Sequence, residues 1–187
     1  MIHIIDFGSK KTPQIKECVE QTEICTVFHA HEYSETNVSD ADALILSGSP
    51  ILLTEYNYWP LLSQFNFIKD LNIPVLGICF GHQLLGLLYG ATIYRGAAIR
   101  KPVSITLLGN SALFTGFEKQ FTMSEDHTEG ITLPQDFTHT ALSEHYQIEG
   151  MQNNFKQMFG VQFHPEVSGI QGQKLIDNFI SIVNEKK

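Results

Sequence analysis

The sequence is poor in the features that mark several protein classes. Its 187 residues hold three cysteines, Cys18, Cys25 and Cys79, an odd number with no Cys-x-x-Cys pair. Such usage fits neither a disulfide framework nor a zinc knuckle. Cations are scarce too: 12 Lys plus Arg stand against 20 Asp plus Glu, a formal net charge of −8. A phosphate-backbone binder needs clustered cations, so nucleic-acid binding is not expected. The short pairs Lys10-Lys11 and Lys186-Lys187 read as solvated charge. Long apolar runs are missing. The most apolar stretch, Ile73 to Ile93, is broken by Gly77, Gly81, His82, Gln83 and Gly86, so no membrane span is expected. The opening Met1 to Asp6 lacks a basic n-region and a small-residue cleavage site, and reads as a strand rather than a signal peptide. A soluble, cytoplasmic protein is the expectation. No Pro/Gly/Ser linker, repeat or low-complexity tract divides the chain. With 43% apolar and 11% aromatic residues it can build a core, and a single domain over residues 1–187 is expected.

What is present is an alternation of strand-like and helix-like segments. Ile2–Asp6, Ile24–Phe28, Ala43–Leu46 and Pro74–Cys79 are short apolar runs that read as strands. Between them, Ile15, Cys18 and Val19 give a helix from Thr12 to about Gln21, and Leu61, Leu62, Phe65 and Ile68 a second helical face. Gly81–Tyr89 and Ile170–Val183 predict two more helices. Several strands are apolar on both faces, which points to an α/β fold with a mostly parallel sheet covered by helices. After Gly90 the runs Val103–Leu108, Gln120–Met123, Phe137–Leu142, Gln147–Met151 and Gln157–Phe163 predict a small antiparallel extension.

Two segments carry chemistry. In Gly77-Ile78-Cys79-Phe80-Gly81-His82-Gln83, a buried strand runs into one cysteine flanked by glycines and a helix starts at once. This is the pattern of a nucleophile elbow, whose strained turn exposes the nucleophile at a helix N-terminus. The helix dipole there favours a thiolate, and the Phe80 N–H would face an oxyanion formed by attack of Cys79. The alternative is a small buried hydrophobe at a strand end. The second segment, Gly160-Val161-Gln162-Phe163-His164-Pro165-Glu166, ends an apolar strand in His-Pro-Glu. Residues two apart on an extended chain point the same way, so Glu166 can orient the His164 imidazole as base to the Cys79 thiol. Taken alone, a surface His–Glu pair would serve as well. Histidines in His29-x-His31-Glu32 share a strand face but lack a third ligand at recognisable spacing, so no metal site is assigned.

The two motifs together resemble those of class I (triad-type) glutamine amidotransferases, with a flavodoxin-like fold. The resemblance runs nearly the whole chain and leans toward the glutaminase part of GMP synthase. Ile4-Ile5-Asp6-Phe7-Gly8-Ser9, Leu44 to Pro50 and the Val167 to Phe179 region are similar to its first strand, oxyanion loop and last helix. It implies hydrolysis of the L-glutamine side-chain amide through Cys79, His164 and Glu166, by way of a γ-glutamyl thioester. The oxyanion hole would be Gly48, Ser49 and Phe80; substrate contacts would come from Gln83, Ser124 and His127. Gln83 also reads as an ordinary helix amide.

The chain departs from the pattern at Ser49, where the family's loop has a second glycine, and in Ser124–Ile131, which fits the family's Ser-His-x-Asp-x-Val only with an insertion. No nucleotide-binding loop is present, so no cofactor is expected in this chain. ATP and magnesium would belong to a synthetase partner that receives the ammonia. Two other readings share the fold: a free-standing hydrolase of γ-glutamyl compounds, with a wider pocket near Tyr56, Tyr58 and Trp59, and a non-catalytic regulatory relative.

Overall fold

The computed structural model describes residues 1–185; Lys186 and Lys187 lie outside the described residues. The elements in chain order are β1 (Ile2–Asp6), α1 (Thr12–Val19), β2 (Cys25–His29), β3 (Ala43–Leu46), α2 (Trp59–Phe65), β4 (Val75–Ile78), α3 (Phe80–Leu88), β5 (Ile93–Ile99), β6 (Pro102–Leu107), β7 (Gln120–Ser124), β8 (His127–Ile131), β9 (Phe137–Leu142), β10 (Gly150–Asn153), β11 (Met158–Val161) and α4 (Gly169–Asn184). Nine strands form one sheet in the order β2-β1-β3-β4-β11-β10-β9-β6-β7. The half from β2 to β11 is parallel, and β10, β9, β6 and β7 continue it as antiparallel ribbon. The α/β expectation and the antiparallel extension are both present.

Alternation along the central strands explains why both faces are covered. Ile2, Ile4, Ala43, Ile45, Leu76 and Ile78 face the layer of α1 and α4. Ile5, Leu44, Leu46 and Val75 face that of α2 and α3. Two layers of helix over a sheet buried on both sides is what period-two apolar strands demand.

One unit has no counterpart in the sequence reading, the two-stranded antiparallel sheet β5-β8. From Tyr94 to Ala98 β5 is exposed, so it shows no apolar alternation. In β8 the buried residues include His127 and Glu129, which read as polar turn. The second helical face also shortens, with α2 giving way to a 3-10 turn over Asn66–Asp70.

The packing of α3 against the sheet sets the position of everything at the strand ends. A Cβ on Gly81 would lie 2.3 Å from the Leu46 carbonyl oxygen, and one on Gly77 2.5 Å from the Gly81 carbonyl oxygen. One on Gly160, which pairs with Gly77 across β4 and β11, would lie 2.6 Å from His82 Nδ1. The helix therefore sits on a floor without side chains, closer than any other residue type would allow.

Gly81→Ala is expected to cost about 2 kcal/mol or more, since its Cβ meets the Leu46 backbone, which cannot swing aside. Gly86→Ala should cost less, because its Cβ meets the end of the Ile131 side chain. Urea unfolding of both variants checks the order; equal losses would contradict this account of the α3 contact.

Candidate active site

Three adjacent parallel strands, β3, β4 and β11, end side by side. The segments leaving their carboxyl ends carry Gly48-Ser49, Cys79 and His164, which thus converge although they lie far apart in sequence. Open α/β sheets place their sites at this edge.

Cys79 has φ 52° and ψ −106°. Among the described residues only Cys79 and Asp136 are non-glycine with positive φ. A conformation of this kind costs about 1–3 kcal/mol and persists only where the surroundings fix it. Here they do: the Cys79 N–H donates to the Val161 carbonyl at 2.8 Å, and the Gly81 N–H to the Ser47 carbonyl at 3.0 Å. Between them the Phe80 N–H, first of α3, has no acceptor among the described residues. The elbow geometry read from the glycine spacing is present.

His164 and Cys79 line the same cleft, and His164 Cε1 and Cys79 Cβ both stand close to Gly48. His164 Nδ1 meets Glu166 Oε1 at 2.7 Å, and both side chains are buried. The reason differs from the extended-chain argument. Pro165–Val167 is a 3-10 turn, so Glu166 reaches back across a tight turn. The His164 N–H donates to the Ser124 carbonyl at 2.9 Å, which ties the segment to β7. Burial alone would push the His164 pKa down. The Cys79 sulfur and the Glu166 carboxylate outweigh it, and the net direction is upward. A cationic imidazole beside the sulfur follows, the arrangement that activates a thiol.

Gly48 is there for clearance: a Cβ would stand 3.3 Å from His164 Cε1 and 3.8 Å from the Cys79 Cβ. Ser49 carries no left-handed strain, and its hydroxyl accepts the Ile51 N–H at 3.2 Å. The departure from a second glycine is thus accommodated.

A cleft of about 400 Å³ opens over Cys79, with Phe80, Gln83 and His164 along its floor and Lys10, Lys11 and Arg100 at its mouth. The pair read as solvated therefore borders the site. Lys11 Nζ lies 2.6 Å from Asp126 Oδ2, and Arg100 Nε 3.5 Å from Oδ1. Partial burial works against the Asp126 charge, but Lys11, His164 and Arg100 hold its carboxyl below the ordinary range.

The expected substrate residues divide. Gln83 lines the cleft, but its Nε2 donates inward to the Glu129 carbonyl and to Gln162 Oε1, each at 3.1 Å. Ser124 is not among the cleft residues; its hydroxyl donates to the Val167 carbonyl. His127 borders the cleft with both ring nitrogens engaged, Nδ1 on the Glu129 carbonyl and Nε2 on Glu125. Tyr56, Tyr58 and Trp59 do not line it. His29 and His31 stack at 5.8 Å on the surface, His31 in a 3-10 turn rather than on the strand.

Two further residues belong to the site without having been expected there. Gln162 Nε2 donates to Cys79 Sγ at 3.6 Å. Glu129 accepts the backbone N–H groups of Leu53 and Thr54, at 2.9 and 2.7 Å, and so anchors the chain beyond the oxyanion loop. A Gln set between the apolar residues Val161 and Phe163, two residues before His164, was the available signal for the first. Nothing local marks the second.

The structure is thus an α/β fold that brings Cys79, His164 and Glu166 together at the carboxyl edge of its sheet. The family model for class-I glutamine amidotransferases matches residues 3–183, and the chain belongs to that family. A glutamine-hydrolysing GMP synthase subunit of Pyrococcus abyssi is 34% identical over 190 residues, covering 99% of this chain and all of that protein. A Leptospira interrogans protein named as a probable glutamine-hydrolysing GMP synthase is 35% identical over 193 residues; this chain spans 31% of its length. The crystal structure of a Thermoplasma acidophilum protein described as a GMP synthase subunit superposes with a TM-score of 0.91 at 27% identity, covering 99% of this chain and 94% of that one. Among the described residues no helix is long and apolar enough to cross a membrane.

If His164 activates the thiol, His164→Ala should slow iodoacetamide alkylation of Cys79 at neutral pH by about tenfold or more. Alkylation of Cys18, read by peptide mass spectrometry in the same sample, should not change. An unchanged Cys79 rate would contradict the activation.

Proposed function

We propose that this chain is a glutaminase subunit that hydrolyses L-glutamine and passes ammonia to an ATP-dependent synthetase, of the GMP synthase type. The observation that carries the reading is the strained Cys79 elbow with His164, hydrogen-bonded to Glu166, lining the same cleft.

In this reading the Cys79 sulfur attacks the glutamine side-chain carbonyl carbon. The carbonyl oxygen becomes an oxyanion, held by the Phe80 N–H and a backbone N–H of Gly48-Ser49. Donors fixed in advance at that position are usually the largest single contribution in acyl transfer. His164 gives its proton to the departing nitrogen, ammonia leaves, and a γ-glutamyl thioester remains. His164 then takes a proton from water, which attacks the thioester carbon and frees glutamate and the thiol. Glu166 holds the imidazole and balances its positive charge. Because it orients rather than transfers protons, its loss should cost less than the loss of His164.

The synthetase is inferred from the relatives. The Pyrococcus abyssi protein, named as one subunit of a GMP synthase, matches end to end. In the Leptospira interrogans protein the matching region is about a third of a longer chain. ATP, magnesium and the acceptor nucleotide would bind on that partner, not here. The cleft opens at the strand ends, the face such a partner would need to cover to collect ammonia.

The purified chain is expected to release ammonia from glutamine, alone or on addition of a GMP synthase synthetase component with ATP and xanthosine monophosphate. Cys79→Ala and His164→Ala should abolish it, while Glu166→Gln should retain a measurable fraction. Full activity of Cys79→Ala would sink the nucleophile assignment. Silence under every condition, in a folded protein, would sink the glutaminase reading.

A further inference from the structure

Behind Gln83, three buried ionisable side chains lie together. Glu125, His127 and Glu149 are 4%, 8% and 0% exposed, and one ligand-type atom from each lies within 4.8 Å of the others. Isolated charges in such a place would be costly, so the group requires compensation from within.

The hydrogen bonds show how it is arranged. His127 Nδ1 meets the Glu129 carbonyl at 2.8 Å, and a carbonyl can only accept, so Nδ1 carries a proton. His127 Nε2 contacts Glu125 Oε2 directly. Glu149 Oε1 accepts from the Ser143 hydroxyl at 2.7 Å. Glu149 Oε2 and Glu125 Oε1 are buried with no donor facing them, and an oxygen of each carboxyl lies within 4.8 Å of one on the other. Two carboxyl groups this close in a buried pocket do not both ionise, so one keeps a proton that it can share with its neighbour. Burial first, then the neighbouring Glu125 charge, pushes the Glu149 pKa up to about 9, so Glu149 is the acid. A metal ion is a poorer occupant, because Nε2 and Oε2 already in direct contact leave no space for an ion between them.

We propose that Glu149, Glu125 and His127 form a buried proton-sharing chain that positions the substrate wall of the cleft. Neutral Glu149 donates to the Glu125 carboxylate, Glu125 pairs with His127, and His127 holds the Glu129 carbonyl. That carbonyl also accepts from Gln83 Nε2, while the Glu129 carboxylate anchors Leu53 and Thr54. The chain thus runs from Ser143 to two walls of the cleft. Its members come from the Ser124–Ile131 segment that departs from the family pattern, and from Glu149 just before β10. These are positioning residues: none is argued to touch the reacting atoms. The inference deepens the glutaminase reading and rests on it for the identity of the substrate.

Glu149→Ala and Glu149→Gln separate the possibilities, because an amide reproduces a neutral carboxyl, accepting from Ser143 and donating to Glu125. Glu149→Ala is expected to raise KM for glutamine about tenfold with kcat changed less than about threefold, and Glu149→Gln to bring KM back toward the wild type. A second measurement needs no turnover. A folded-state pKa above the unfolded value means that the folded protein keeps a proton which the unfolded chain releases. Stability should therefore fall as pH rises from about 4.5 to about 9, and Glu149→Gln should remove that part of the slope. The charged and titratable groups facing Glu149 are Glu125, His127, Cys79, Tyr94 and Tyr146, and all are shared by the two proteins. Groups away from this cluster cancel in the difference between the two proteins, and the part of the slope that Glu149→Gln removes belongs to the coupled chain as a unit.

Equal slopes would overturn the shared proton. So would Glu149→Gln behaving like Glu149→Ala, or elemental analysis finding a stoichiometric divalent metal that Glu149→Gln releases. If the wild type hydrolyses no glutamine while the slopes differ as expected, the substrate reading and the positioning role built on it fall. The proton-sharing chain then stands on its own.

Discussion

The close seating of α3 on the sheet is the contact on which the site depends. Its first turn rests on Gly77 and Gly160 and presses Gly81 against the Leu46 carbonyl. With ordinary side chains at these positions the helix would stand farther out, and the turn before it would relax. Held down, it forces Cys79 to φ 52° and aims the helix N-terminus at the strand ends. The strain of that turn, about 1–3 kcal/mol, is carried by the packing around it. It is small against a core that buries both faces of β1, β3, β4 and β11.

The same contact brings together groups that sequence distance keeps apart. Gly48, Cys79 and His164 follow β3, β4 and β11, which are neighbours in the sheet. The register therefore fixes the mutual placement of the proposed oxyanion loop, nucleophile and base. A second set of constraints holds the opposite wall. β8 lies outside the main sheet; Ile131 packs it against α3, and polar groups fix its other end near the cleft. Glu129 is the hinge of that wall: its carboxylate caps the Leu53 turn, and its carbonyl receives Gln83 and His127.

Much of this was legible in the residues. The parallel strands announce themselves because they are buried on both faces, and the elbow because its glycines stand two residues either side of Cys79. The pairing of His164 with Glu166 was legible as a partnership, although the turn at Pro165 achieves it, not an extended strand. What escaped was polar and buried. β8 looks like a turn because His127 and Glu129 are solvated in most proteins. Its partner β5 is exposed along most of its length and shows no pattern at all. Ser124 was expected at the substrate and instead braces the chain beside His164, through its carbonyl and its contact with Val167. Hydrogen-bond partners distant in sequence cannot be read from periodicity, and they decide these cases.

The central claim is that Cys79, and no other thiol, carries the acyl group. The most direct test is rapid acid quenching of the enzyme during turnover with glutamine, followed by peptide mass spectrometry. A γ-glutamyl thioester on the Cys79 peptide, absent from Cys79→Ala, is the predicted result. Ammonia release without any adduct, or an adduct on Cys18 or Cys25, would contradict it.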